Sequence, residues 1–254
     1  MYNFCYTSRN YLFQRLRRTY IRIKRAIKEK GLFYLFRCCF IKLFDWTIAY
    51  YYCILFRSSC VFTFNHRVYP YFYHKYNRTW RSERAVEIPI IWDIVSANSD
   101  KMILEVGNVL SHYFVVNHDI LDKYEKDHHV CSQVDVIDFN CDKKYDLIVS
   151  ISTLEHIGWD EVPHDPLKVL KAVQNLKHVL ARGGRLCVTL PIGYNSDLDK
   201  LLKLKRLGFT KISCLKRIHF DEWIETDYKS IQDSVYDYLL FFTSGLLVGI
   251  VEKA

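Results

Sequence analysis

Between Met102 and Leu190 one pattern recurs: a short apolar run, a glycine or an acidic residue to end it, and then a polar or helical stretch. Met102-Ile-Leu-Glu-Val106 stops at Gly107. Asp119-Ile-Leu-Asp122, Val134 to Phe139, Tyr145 to Ile151 and Arg185 to Leu190 repeat the form. Runs this short and this continuously apolar predict strands buried on both faces of a sheet. Asp165 to Leu180 has a different period. Leu167, Val169, Leu170, Val173, Leu176 and Val179 share a helical face, and Arg182-Gly183-Gly184 closes it. A helix from Ser196 to Leu207 ends at Gly208, and Thr210 to Ile218 and Leu246 to Glu252 supply two final strands. Upstream, Ser82-Glu83-Arg84-Ala85 opens a helix running to Asn98, which Pro89 kinks or delays. Strands alternating with helices predict an α/β fold: a Rossmann-like, mainly parallel sheet with helices on both faces.

The first 80 residues are of another kind, and we divide the chain into residues 1–80 and 81–254. The formal charge of +8 is concentrated there. Residues 1–45 hold 11 Lys and Arg against Glu29 and Asp45, whereas the remainder carries 25 basic and 26 acidic groups. From Tyr11 to Lys30, Leu12, Leu16, Tyr20, Ile23 and Ile27 mark one helical face. Arg15, Arg18, Arg22, Arg25 and Lys28 fill much of the rest, and Gly31 stops the helix. Leu32 to Phe56 is aromatic-rich, but Arg37, Lys42 and Asp45 interrupt it. Its longest uncharged run, Trp46 to Phe56, has 11 residues, and a membrane span needs about 20. A basic, aromatic-rich helical segment suits the surface of an anionic membrane, with rings in the interface and cations on headgroup phosphates. It also suits packing on the following domain with a solvated basic face; binding to nucleic acid ranks last. Phe62 to Trp80 is placed as irregular structure or a short hairpin. The nine cysteines form no Cys-x-x-Cys pair and read as small buried hydrophobes in a reducing compartment. Adjacent Cys38 and Cys39 have only their position to suggest acylation. Met-Tyr-Asn-Phe-Cys lacks the parts of a signal peptide, which predicts a cytoplasmic protein, peripheral at the inner face of the membrane.

The run Ile103-Leu-Glu-Val-Gly107, then Ile120-Leu-Asp122, Asp138-Phe139, Tyr145 to His156 and Leu176 to Pro191, resembles the class I S-adenosylmethionine-dependent methyltransferases. The likeness covers residues 101–193 well and 194–254 loosely. More narrowly, the chain resembles uncharacterised methyltransferase-like proteins associated with cell-surface polysaccharide synthesis. The resemblance implies S-adenosylmethionine as cofactor, with Glu105 towards its methionine portion and Gly107 allowing close backbone approach. It implies that Asp122 accepts from the ribose hydroxyls, that Asp138 accepts from the adenine amine and that Phe139 lines the ring. One departure stands out: where the family has Gly-x-Gly-x-Gly, this chain has Gly107-Asn-Val109-Leu-Ser111. A nicotinamide-dependent dehydrogenase ranks far lower, because its Gly-x-Gly-x-x-Gly turn is absent.

Glu155 and His156 follow the fourth strand, where the family builds its active-site rim. His156 is the candidate base for methyl transfer to a hydroxyl, with Glu155 and Asp160 behind it; the same pattern also serves only to shape a loop. Tyr194 and Asn195, after the fifth strand, are candidate acceptor-binding residues or plain turn residues. Asp127-His128-His129 with Cys131 are metal-ligand types, but no second group stands at zinc-site spacing, and a solvated loop is the better reading. The expected activity is O-methylation of a glycan or glycolipid precursor. The alternative is a catalytically inactive methyltransferase-like scaffold at the membrane.

Overall fold

A computed structural model describes residues 3–125, 130–219 and 222–253; the side chains of 3–19, 21, 22, 25, 26, 45 and 46 are outside that description. The Asp127-His128-His129 run therefore lies outside the described residues. Helix α1 (Asn3–Phe44) is interrupted at Gly31, whose φ of 79° and ψ of 171° are not helical. A π-helical turn (Asp45–Ala49) leads into α2 (Tyr50–Phe56). Strands β1 (Val61–Phe64) and β2 (Arg67–Pro70) form an antiparallel hairpin, and α3 (Arg84–Ser96) follows. Then come β3 (Ile103–Val106), β4 (Asp119–Leu121), β5 (Val130–Ser132), β6 (Tyr145–Ile151), α4 (Lys168–Val179) and β7 (Leu180–Pro191). The chain closes with α5 (Ser196–Lys203), β8 (Lys211–His219), β9 (Glu222–Thr226), α6 (Tyr228–Ile231) and β10 (Gly245–Glu252).

Eight strands make one sheet in the order β5-β4-β3-β6-β7-β10-β8-β9. The first five are mutually parallel; β10 runs antiparallel between β7 and β8, and β9 adds an antiparallel edge. This is a Rossmann-like architecture: a mainly parallel sheet whose strand order reverses between β3 and β6. Side chains alternate along β6. Leu147, Val149 and Ile151 enter a core with Ile88 and Ile91 of α3, and Ile148 enters the opposite core with Val173 and Leu176 of α4. Helices therefore cover both faces, as the apolar runs require.

The third strand differs from expectation. It is Val130–Ser132, and the residues from Val134 to Phe139 form a turn beyond it. The cause is local: the Asp135 carboxylate accepts from Ile137 N–H (3.3 Å) and its carbonyl accepts from Asp138 N–H (2.9 Å). Edge strand β9 was not foreseen.

Pro89 lies inside α3 and has no N–H for the Ala85 carbonyl one turn earlier. That carbonyl instead accepts from Phe72 N–H at 2.9 Å, stitching the segment after the hairpin to the helix. Phe62, Phe64 and Tyr71 join the α3 core, and Trp223 N–H of β9 donates to the Tyr71 hydroxyl (2.9 Å). Residues 61–80 thus pack as part of the α/β body. Fully buried Thr79 completes the segment: its hydroxyl donates to Phe72 O (2.6 Å) and accepts from His74 N–H (2.8 Å). Thr79→Val keeps the shape and strands both backbone groups. Urea unfolding should show a loss of about 1–3 kcal/mol; unchanged stability would mean that those groups reach water.

Candidate active site

The strand order reverses between β3 and β6, which directs a ligand crevice to their carboxyl ends. At the end of β3, Gly107 has φ +87°, and a Cβ there would overlap the Thr153 side chain. The glycine is needed so that the loops after β3 and β6 can touch. Thr153, rather than open ligand space, occupies the position of the missing Cβ, which corrects the expectation for this residue. Glu105 is fully buried and fully engaged: Oε1 accepts from Val109 and Leu110 N–H (2.9 and 2.8 Å), and Oε2 meets His118 Nε2 at 2.8 Å. It folds the glycine-poor loop into a short 3-10 turn (Leu110–His112).

Asp122 ends β4 as expected, and its carboxylate ties two loops together. It accepts from Asn108 N–H (3.1 Å) and from Tyr124 and Glu125 N–H (2.8 Å each). Of roughly four lone-pair sites on a carboxylate, one remains. Asp138 is not with them. It is exposed in the turn beyond β5, and Phe139 is buried under α4 among Val169 and Val173. Neither stands at a strand end or on the cavity described below, because the strand that would have placed them ends at Ser132. The acid of that region is Asp135, bridged by Lys123 (2.7 Å) and Lys168 (2.5 Å), both of which also reach Glu161. Partial burial opposes its charge, but the two lysines hold its carboxyl below the usual range.

The open space lies one strand further on. A cavity of about 750 Å³ sits at the carboxyl ends of β6 and β7. Its floor is Ser152, Glu155, His156 and Tyr194; Glu83 and Arg84 of the α3 start, Trp80 and Tyr236 form walls, and Thr47, Tyr50 and Tyr51 close it from the N-terminal helices. Four non-glycine residues on its lining, Asn77, Arg78, Ser152 and Phe241, have left-handed φ. Such backbone strain concentrates where surrounding structure holds a site in shape. For Ser152 the holding groups are visible. Its N–H donates to Thr189 O and Oγ1 (3.1 Å each), and its hydroxyl donates to Glu87 Oε2 (2.7 Å). Glu87, fully buried, also accepts from Thr189 Oγ1 (2.8 Å) and pairs with Arg84 Nε (3.2 Å).

Glu155 and His156 are brought together as expected. Glu155 is buried, its Oε2 has no hydrogen-bond partner, and burial pushes its carboxyl up to about 8. His156 Nδ1 meets Asp160 Oδ2 at 2.6 Å, and its Nε2 lies 3.7 Å from Glu155 Oε1. Burial works against charge on this ring, but Asp160 and Glu155 outweigh it, so its pKa is raised. The Tyr194 hydroxyl donates to the same Asp160 oxygen (2.6 Å), and its ring stands edge-on to His156. Asn195 is buried and is not on the cavity lining. Its Oδ1 caps α5 by accepting from Asp197 and Leu198 N–H (3.0 Å each), and its amide donates to Glu155 O (2.9 Å). Its role is to position Glu155.

Sequence reasoning missed Arg84, Glu83, Glu87 and Tyr236. A usable signal was present: Glu87 is the one acid in the otherwise apolar run Ala85 to Trp92.

No protein-family model matches the chain, and no curated protein does. Solved structures similar to it include N-methyltransferase NodS from Bradyrhizobium japonicum with S-adenosylhomocysteine, at 13% identity over 64% of this chain and 84% of that one, TM-score 0.36. TehB from Haemophilus influenzae aligns at 12% identity over 67% and 63%, TM-score 0.40. The CcbJ methyltransferase from Streptomyces caelestis aligns at 9% identity over 65% and 88%, TM-score 0.41.

Two predictions follow from this geometry. Gly107→Ala should cost at least about 2 kcal/mol, from left-handed strain and overlap. Adding Thr153→Ala should recover part of it in chemical unfolding; strictly additive losses would reject the contact. The second concerns Glu155, whose carboxyl is pushed up to about 8 in the fold. The unfolded chain loses this proton at the ordinary value, so stability is complete below it and falls as pH rises towards about 8. Glu155→Gln should remove that loss. Its stability advantage over wild type should widen between pH 5 and 8 by up to about 1.4 kcal/mol per pH unit. Parallel melting curves at the two pH values would reject the assignment.

Proposed function

We propose that the chain is an S-adenosylmethionine-dependent methyltransferase acting on a hydroxyl of a glycan or glycolipid precursor held in the cavity. The observation that carries this reading is Glu155, a buried carboxyl on the cavity floor with one oxygen unpartnered, beside a His–Asp pair. S-adenosylmethionine, when bound, supplies an electrophilic methyl group on a permanently cationic sulfur, with an amino-acid tail. The residues fit that chemistry on the cavity side. Glu155 Oε2 wants a cation, and Arg84, held by Glu87 and by Ile151 O (3.4 Å), retains guanidinium donors suited to a carboxylate. On the ribose side, Asp122 has one acceptor site left.

Acceptor chemistry is assigned to His156. His156 Nδ1–H donates to Asp160, which leaves Nε2 as the basic nitrogen that accepts the hydroxyl proton. Asp160 is the positioning residue, and the Tyr194 hydroxyl holds it. Tyr50, Trp80, Tyr194 and Tyr236 give the cavity aromatic faces among polar groups, a lining suited to the apolar faces and hydroxyl rims of sugar rings.

A second reading, a catalytically inactive methyltransferase-like binding protein, has its own support in Thr153 against Gly107 and in the Lys123–Asp135–Lys168 bridge. Calorimetric titration with S-adenosylmethionine separates the two. On the first reading Glu155 must give up its proton to meet the cation, so binding releases a proton and tightens from pH 6 towards about 8. Glu155→Gln should abolish that pH dependence and weaken binding about tenfold or more. His156→Ala should lower turnover by about a hundredfold with cofactor affinity unchanged. Absence of any binding heat across this pH range selects the scaffold.

A further inference from the structure

We infer that the outward face of residues 32–56 docks on an anionic lipid bilayer and carries the cavity mouth to it, so that the acceptor is taken while its lipid stays in the membrane. The statement about the acceptor rests on the methyl-transfer reading; the docking does not.

The segment has two faces. On the inner one, Cys38, Ala49 and Cys53 are buried, the Tyr34 hydroxyl bonds to Asp237 and Tyr50 packs on Trp80. On the outer one, Phe33, Phe36, Phe40, Leu55 and Phe56 are between 70% and 84% exposed. Leu43 and Ile48 continue the stripe between them. A contiguous apolar strip of this kind on a folded chain marks a contact surface. Charge decides what covers it. Residues 1–45 hold 11 Lys and Arg against two acids, and Lys24, Lys28 and Arg37 are exposed. A surface of apolar depth with an anionic skin is that of a bilayer with acidic headgroups. Among the described residues no helix is long and apolar enough to cross it, so the segment lies along the interface, with Arg37 able to extend its head to phosphate.

The same segment closes the cavity. Thr47, Tyr50 and Tyr51 line it, while neighbours Ile48 and Leu55 point outward. Tyr51 and Lys75 are both exposed and both on the lining, so they mark its rim, with Lys75 Nζ 5.0 and 5.3 Å from the Tyr50 and Tyr51 ring centres. A headgroup leaving the bilayer at this rim meets a cation first and aromatic faces next.

The test is sedimentation of the full chain with vesicles of phosphatidylcholine alone or mixed with phosphatidylserine, at low and high salt. Wild type should bind the mixed vesicles at low salt, lose them at high salt and ignore the neutral ones. A triple variant, Phe33→Ser with Phe36→Ser and Phe40→Ser, and a double variant, Leu55→Ser with Phe56→Ser, should each bind at least tenfold more weakly. Their S-adenosylmethionine affinity, measured without lipid, should equal that of wild type. No binding to mixed vesicles overturns the inference, as do equal binding to neutral vesicles, unaffected variants, or a stable dimer that those variants dissociate. Because cofactor titration is read without lipid, loss of the enzymatic reading and loss of docking register separately.

Discussion

A carboxylate removed from water must find partners, and Glu87 finds them on three elements at once: Arg84 on its own helix, Ser152 after β6 and Thr189 on β7. Without that group, the left-handed turn at Ser152 would keep only the long Arg84 bond to Ile151 O on the α3 side. The loop carrying Glu155 and His156 begins at that turn. The cavity therefore has a polar foundation rather than an apolar one. This suits a site whose working groups must keep fixed directions.

The strands with continuous apolar runs were readable because a strand buried on both faces leaves little choice of residue; Ile103 to Val106 and Tyr145 to Ile151 are such cases. The turn at Asp135 was less readable, since Val134, Val136 and Ile137 look like strand until the aspartate side chain captures local N–H groups. Asp138 and Phe139 were misplaced with it. At the site, Glu105, Asp122, Glu155 and His156 stand at the strand ends where the pattern put them. What they bond to there depended on contacts far apart in sequence. His118 on Glu105, Thr153 against Gly107 and Asn195 on the Glu155 carbonyl are of that kind.

The two halves of the crevice now contrast. On the β4 and β5 side, acids are neutralised by lysines or tied to backbone N–H groups, and little acceptor capacity remains. On the β6 and β7 side, Glu155 keeps an unpartnered oxygen and His156 a directed nitrogen. The unpartnered acceptor and the directed nitrogen thus lie on one side of the switch point, and the N-terminal helices cover that side.

Pro89 has an effect well away from its own position. By lacking a donor it leaves the Ala85 carbonyl to Phe72, so the segment that includes Lys75 and Trp80 is joined to the start of α3 by main chain. The stretch of cavity wall from Lys75 to Arg84 is thereby one piece. Changes of side chain along this stretch can alter which molecule fits without altering the backbone that carries them. A lineage of such chains could revise what the cavity admits by side-chain chemistry alone, on a frame of constant shape.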